Sequence, residues 1–373
     1  MVTILGAGIA GTSLAWALAR RGRRDVVVFV PAAEPAGSTS KALGGFRTQH
    51  GSALNIALSL ASRDFFVQRA EHVHFQSNGY LYLAETFEAA VELRRRAELQ
   101  RECGLPIEHP DARAVVPWLD TTGIQGTNFC ALDGVYMPLD ILGVYMEEAR
   151  SLGVDFRLGR EAGSRDLAAG ILVVACGVWS TEVAESLGVA LKVEPEERRV
   201  FIAGPYDWLG DKVPMTLDAG SGFHFRERDH RLWFVGPPGH HEWEPSRDWL
   251  AMRAQRAAVK DPDGVVTGNY EITFDHHPLV GETERPGVWS SCGFSGHGVM
   301  HSPAVADNLA AMINGDSIPL DIPALSPLRK APLIDTTHIA EPVQVSSCTG
   351  WARNAVELGC CRGCSEDEMR GAA

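Results

Sequence analysis

Along the first thirty residues apolar stretches alternate with a glycine turn. Val2–Leu5 reads as a short strand, 6–11 as the turn, and 12–20 as a helix with Leu14, Ala15 and Leu18 on one face. Arg21-Gly22 closes that helix, as glycine near a C-terminus commonly does. Val26–Val30 is an unbroken apolar run, nearly all β-branched, as expected of a parallel strand buried on both faces. A loop rich in proline, glycine and serine (31–40) leads to Gly44-Gly45 and a helix predicted over 52–70.

Beyond this point the pattern mixes. A strand is predicted at 79–83, a charged helix over 86–103 with Arg94-Arg95-Arg96 on its solvated face, and another helix over 139–152. The run 171–175 is a second buried strand, ending at Cys176-Gly177. Short alternating segments at 199–202, 222–226, 232–235 and 270–274 carry the signature of an antiparallel sheet. A last strand at 287–292 precedes a glycine turn and a helix over 299–313.

Parallel elements thus stand at the start, middle and end, with antiparallel material between them. The expected fold class is α/β plus α+β: a Rossmann-like dinucleotide domain with an inserted antiparallel-sheet domain. The first is assigned to 1–75, 130–190 and 278–325, the second to 76–129 and 191–277, and a cysteine-bearing tail to 331–373. A length of 373 residues fits two or three domains at roughly 150 residues each.

Charge narrows the partners. Thirty-four basic against 47 acidic residues leave −13, which argues against a nucleic-acid backbone or an anionic membrane surface. No run approaches the ~20 apolar residues that span a bilayer, and no basic region precedes the first strand, so no signal peptide is expected. Four of the eight cysteines are scattered, and a chain of this size needs no disulfides; a cytoplasmic location is expected.

Gly6-Ala7-Gly8-Ile9-Ala10-Gly11, between a strand and a helix, is a dinucleotide fingerprint. The first glycine allows the tight turn, the second lets backbone approach a pyrophosphate, and the third brings helix and sheet together. The helix N-terminus offers free N–H groups to the phosphates. One part is missing: the second strand should end in an acid for the adenosine ribose, and the residue there is Val30. Either Glu34 turns inward or backbone and water hold the ribose. Near the other end, Cys292-Gly293-Phe294-Ser295-Gly296-His297-Gly298-Val299-Met300 joins a strand to a helix through three glycines. Such a turn sets N–H groups against a group that becomes anionic, as the N1/C2=O edge of a flavin does, and so favours FAD over NAD.

With these motifs the chain resembles the FAD-dependent amino-acid and amine oxidoreductases of the D-amino-acid-oxidase superfamily. It is most similar to sarcosine and dimethylglycine dehydrogenases and to the β subunits of dye-linked L-proline dehydrogenases. The resemblance runs from Val2 to about Arg329. It includes Ser40-Lys41-Ala42-Leu43-Gly44-Gly45-Phe46-Arg47, similar to a second flavin-binding segment. It also includes Val173-Val174-Ala175-Cys176-Gly177-Val178-Trp179-Ser180, like a flavin contact, and the stretch from Tyr270 to Pro278, like a strand beside the flavin.

The resemblance implies cofactor contacts at Gly6, Gly8, Ile9, Ala10, Gly11, Val30, Ser40, Lys41, Gly44, Gly45, Phe46, Arg47, Ala175, Gly177 and Trp179, and from Gly293 through Met300. Gly268 stands where monomeric sarcosine oxidases attach flavin to a cysteine, so non-covalent FAD is expected. Met300 replaces a lysine that helps those oxidases hold the substrate carboxylate, and 158–169 is shorter than the family's usual hairpin.

The implied reaction removes hydride from the carbon beside an amine nitrogen of a small amino acid, with secondary amines (L-proline, sarcosine, dimethylglycine) favoured. A dehydrogenase serving a protein or quinone acceptor, in a homo- or hetero-oligomer, is the expected form. A D-amino-acid or glycine oxidase, and a non-catalytic flavin-binding assembly factor, are the alternatives. Arg47 is a candidate for a carboxylate or a water near the flavin, and Tyr270 for a place beside the flavin face. Strand alternation sets His224 and Arg226 on one face, with Phe223 and Phe225 on the other. His224 is a candidate base for the amine proton and Arg226 a second carboxylate clamp. Arg198-Arg199 reads as structural. No metal is expected at His276-His277, whose side chains diverge on an extended chain. Cys348, Cys360, Cys361 and Cys364 read as part of a docking or mobile tail.

Overall fold

The computed structural model describes residues 1–34, 37–168, 170–239, 241–254, 259–318, 320 and 322–335. The four tail cysteines lie outside the described residues. Met1–His338 forms one compact unit.

The N-terminal strand Val2–Leu5 is central to a six-stranded sheet. It pairs in parallel with Val26–Val30 on one side and with Ile171–Val174 on the other. Asp155–Leu158 extends the sheet beyond Val26–Val30, again in parallel. Val288–Cys292 adds a parallel strand beside Ile171–Val174 and forms a hairpin with the edge strand Leu279–Glu282. Strand alternation buries both faces. Val2, Ile4, Val28 and Val173 pack under the helices Ile9–Arg20, Ala53–Gln68, Pro138–Ser151 and Gly298–Asn314, while Leu172 and Val174 join Val189, Leu191 and Leu279 on the other side.

The second sheet has seven strands in the order Gly264–Ile272, Glu194–Ala203, Arg231–Val235, His224–Arg228, Met215–Asp218, Tyr80–Ala84 and Gly126–Cys130. Its pairs are antiparallel except Met215–Asp218 with Tyr80–Ala84, which run parallel. One face is an aromatic core: Phe225 and Phe234 contact Trp249 of the helix Trp243–Arg253. Burying each such ring contributes roughly 2–3 kcal/mol, enough to fix which face of the sheet is dry. Among the described residues no helix is long and apolar enough to cross a membrane.

Several elements differ from the sequence reading. The strand expected at 270–274 ends at Ile272, because Thr273 Oγ1 donates to the His277 carbonyl (2.7 Å) and turns the chain. Phe274 is left exposed. Asp155–Leu158 alternates charged and apolar residues, which suits an edge strand and hides it from a search for buried parallel runs. The helix Trp243–Arg253 begins with Trp-Glu-Pro and has a weak apolar face, so it too carries little periodic signal.

Candidate active site

A cleft of about 760 Å³ runs between the two sheets. At one end it is lined by Gly6, Gly8, Ile9 and Ala10, and further along by Phe294, Gly296, Gly298 and Val299. The first residues of two helices, Ile9–Arg20 and Gly298–Asn314, therefore meet the same cavity although nearly 290 positions separate them. Each presents first-turn N–H groups, apart from that of Ile9, which Thr39 takes, and a positive dipole end, a setting for an anionic dinucleotide.

The glycines explain the close approach. Gly6 has φ +106°, and a Cβ there would run into the Ala175 carbonyl. Gly11 does not line the cleft; it packs against the Gly6 carbonyl and lets the helix start at the sheet. Gly296 has φ +88°, and a Cβ would lie 2.8 Å from the Tyr270 ring. Thr39, within the segment around Ser40 and Lys41, accepts the Ile9 N–H at 3.1 Å. It was missed because its neighbours carried the sequence resemblance.

The expected cofactor residues divide. Val30, Lys41, Ala175, Gly177, Trp179 and Tyr270 line the cleft. Ser40 instead donates to the Gly37 carbonyl of its own turn. Phe46 is fully buried against Phe66 and Phe75, a core residue rather than a cleft residue. Gly44, at φ +84°, and Gly45 support the segment from behind, where a Cβ on Gly45 would meet the Met215 side chain at 2.8 Å. Gly293, Ser295, His297 and Met300 are buried and do not line the cleft. Gly268 lets Lys41 approach: a Cβ there would stand 2.6 Å from the Lys41 Cβ.

Arg47 is held from two sides. Its Nη1 donates to the Tyr82 hydroxyl (2.6 Å), and its Nη2 lies 2.8 Å from His297 Nε2. The chain after it is pinned by fully buried Asp133, which accepts from the Thr48 N–H and hydroxyl (2.6 Å each) and from Gln49 Nε2 (2.9 Å). Burial pushes the Asp133 carboxyl up to about 6, against the opposing pull of those donors. Behind His297 the imidazoles of His50 and His301 close a cluster with centroids 5.1–5.6 Å apart, bridged by Ser59 Oγ. Among the described residues no such group is arranged to hold a metal ion.

His224 and Arg226 share the face opposite Phe225. Burial pushes the His224 imidazole down to about 4, with Arg198 and Arg47 adding to the effect, so it is neutral near pH 7. Its Nδ1 lies 2.9 Å from the Gly222 carbonyl, which can only accept. Nδ1 therefore carries the proton and Nε2 keeps its lone pair. Arg226 Nη1 donates to the carbonyls of Leu43, Gly44 and Tyr136 (2.7, 3.2 and 3.0 Å), tying the Gly44 turn to the second sheet. Its geometry is that of a backbone clamp.

Two cleft residues escaped the sequence reading. Arg198, taken as structural, lines the cavity with its guanidinium 5.2 Å from the Tyr270 ring centroid and its Nε 2.8 Å from Glu196. Glu271 accepts from the Gly293 N–H at 3.0 Å, and burial pushes its carboxyl up to about 7. Only its place beside Tyr270 could have pointed to it.

The profile of the FAD dependent oxidoreductase family (DAO) matches residues 1–312. The chain belongs to this family. It is 27% identical to the FAD-dependent oxidoreductase domain-containing protein 1 of Xenopus laevis, over 84% of this chain and 78% of that one. It is 24% identical to the glycine oxidase of Geobacillus kaustophilus, over 91% of this chain and 97% of that protein. The crystal structure of L-proline dehydrogenase from P. horikoshii superposes with a TM-score of 0.77 at 22% identity, covering 87% of this chain and 96% of that one, a likeness of fold.

The cleft of this FAD-dependent oxidoreductase fits its cofactor. The Gly6–Ala10 turn could receive a diphosphate on backbone N–H groups, and the Gly296–Val299 turn, at a second helix start, lines the same cavity.

Proposed function

We propose that the protein oxidises the C–N bond of a small amino acid whose nitrogen is a secondary or tertiary amine, such as L-proline, sarcosine or dimethylglycine. The observation that carries this reading is the state of Arg47. It is half-buried, both of its hydrogen-bond partners are neutral, and among the described residues no carboxylate lies within ion-pair distance of it. A largely desolvated cation that forms no ion pair with a described carboxylate, and feels those of Asp335 and Asp133 only through their field, favours an anionic ligand, and a planar guanidinium suits a carboxylate.

The chemistry that bound FAD would supply is a hydride acceptor for the carbon beside the nitrogen. The chain's own residues do the remaining work. Arg47 binds and orients the carboxylate, and Arg198 adds positive potential near His224. His224 Nε2 accepts a hydrogen bond from the N–H of a neutral secondary amine such as L-proline or sarcosine, orienting that nitrogen while its lone pair stays free; a tertiary amine, with no N–H, packs against the same imidazole without this bond. Gly268, with no side chain to bond a flavin, supports non-covalent FAD. The relatives include both oxidases and dehydrogenases by name; transfer to a protein or quinone carrier is the form we propose.

The test is spectroscopic. The purified protein is scanned for the flavin band near about 450 nm and then titrated anaerobically with L-proline, sarcosine and dimethylglycine. Bleaching by one of them, followed by faster turnover with a dye than with O2, supports the reading. A yellow protein that no amino acid bleaches would replace it with a non-catalytic flavin-binding role, and faster turnover with O2 would make it an oxidase.

A further inference from the structure

A dinucleotide cleft of this type needs a group for the adenosine ribose, whose vicinal hydroxyls are two donors seeking an acceptor. The usual place for a carboxylate, the end of the second strand, is occupied by Val30. The nearest acid along the chain, Glu34, does not line the cleft, whose lining passes from Ala32 to Gly37 without it.

The neighbouring strand supplies what Val30 lacks. Asp155–Leu158 pairs in parallel with Val26–Val30 so that Leu158 stands opposite Val30. Gly159, at φ +68°, then turns the chain. The turn is tied down by two backbone bonds, from the Gly159 N–H to the Ala32 carbonyl (2.9 Å) and from the Arg160 N–H to the Val30 carbonyl (3.0 Å). The next residue, Glu161, lines the same cleft as Val30 and Pro31, one position after the bridge between Arg160 and Val30. Among the described lining residues only Glu161 and Glu271 are acidic, and Glu271 is committed to the Gly293 turn. Leu167 and Trp179 line the same cavity with large apolar surfaces left exposed (36% and 57%), ready to be covered by a flat base.

We infer that Glu161 is the ribose acceptor of this cleft, its carboxylate taking the 2′ and 3′ hydroxyls of the adenosine half of the cofactor. The inference rests on the FAD reading above and deepens it. The acid has moved from the end of one strand to the turn after its neighbour. Parallel pairing brings the two places together although more than a hundred residues lie between them.

The holoprotein is stripped of flavin, and FAD is titrated back while quenching of its fluorescence is followed. A 2′,3′-dideoxyadenosine analogue of FAD is titrated in the same way. Glu161→Ala is expected to weaken FAD about tenfold, as for loss of charge-assisted hydrogen bonds, and to leave the dideoxy analogue within about twofold. Glu34→Ala is expected to change neither. Adding Val30→Glu to Glu161→Ala is expected to recover most of the FAD affinity, which a variant with a damaged fold could not do. Unchanged FAD affinity in Glu161→Ala, or equal losses for FAD and the analogue, would overturn the inference while leaving FAD binding intact. A wild-type chain that takes up no FAD would overturn both.

Discussion

Arg47 Nη2 lies 2.8 Å from His297 Nε2. A guanidinium has only donors, so the imidazole nitrogen is the acceptor and His297 is a neutral histidine with its proton on Nδ1. The pair consequently carries a single positive charge, located on Arg47. His297 precedes the helix Gly298–Asn314 and Arg47 follows the Gly44-Gly45 turn, so one contact ties the C-terminal glycine turn to the N-terminal one.

The fork of Arg47 should matter as much as its charge. Arg47→Lys keeps the cation but cannot reach Tyr82 and His297 together. It is expected to lower kcat/KM for the amino acid by about a hundredfold. An amine without the carboxylate, pyrrolidine in place of proline, should lose less than about threefold. Stopped-flow reduction with the two compounds checks this, and equal losses would remove Arg47 from carboxylate binding.

His224 titrates in the fold near about 4, well below its ordinary 6.5. Between these values the unfolded chain takes up a proton that the folded chain refuses. The stability contribution is therefore full above about pH 6.5 and falls as the pH drops toward 4. Relative to His224→Gln, the wild type should lose on the order of 2 kcal/mol across that window, read from urea unfolding at pH 7 and pH 4.5.

Glu271 has the opposite sign. Its carboxyl is held up to about 7 against an ordinary 4.5, so the folded state binds the extra proton between these values. Stability should fall as the pH rises from 4.5 through 7. Glu271→Gln, which keeps an acceptor for the Gly293 N–H, should not show this fall. By pH 7.5 it should exceed the wild type by on the order of 2 kcal/mol in thermal melts, and parallel pH profiles for the two proteins would contradict the assignment.

Arg329 and Asp275 form a buried, two-pronged pair, with Nε and Nη2 at 2.9 and 2.7 Å from the two carboxylate oxygens. Asp275 also accepts from the Leu333 N–H (2.9 Å), fastening the segment that follows the last helix. Removing one partner leaves the other charged and dry. Arg329→Met is expected to cost about 3–5 kcal/mol in denaturant unfolding, and the double variant with Asp275→Leu to recover part of that loss.

Much of the cofactor cleft was legible in the chain, for local reasons. A tight strand-to-helix turn needs glycine at fixed offsets, so Gly6, Gly8 and Gly11 announce it without reference to the rest of the molecule. The alternation of His224 and Arg226 with Phe223 and Phe225 likewise follows from the period of a strand, and it placed the polar pair opposite the aromatic core.

What the chain could not announce were relations set by pairing between distant segments. Arg198 faces the cavity because it stands opposite Gly268 in the antiparallel pair of Glu194–Ala203 with Gly264–Ile272. Arg226 meets the Leu43, Gly44 and Tyr136 carbonyls only when the second sheet closes on the Gly44 turn. Glu161 reaches the cleft only through the register of Asp155–Leu158 against Val26–Val30. Local sequence determines turns and faces, because these depend on one residue's conformational freedom and its neighbours' periodicity. The position of a charge in the cleft depends on strand register and sheet closure, which many weak contacts decide together, and that belongs to the tertiary structure alone.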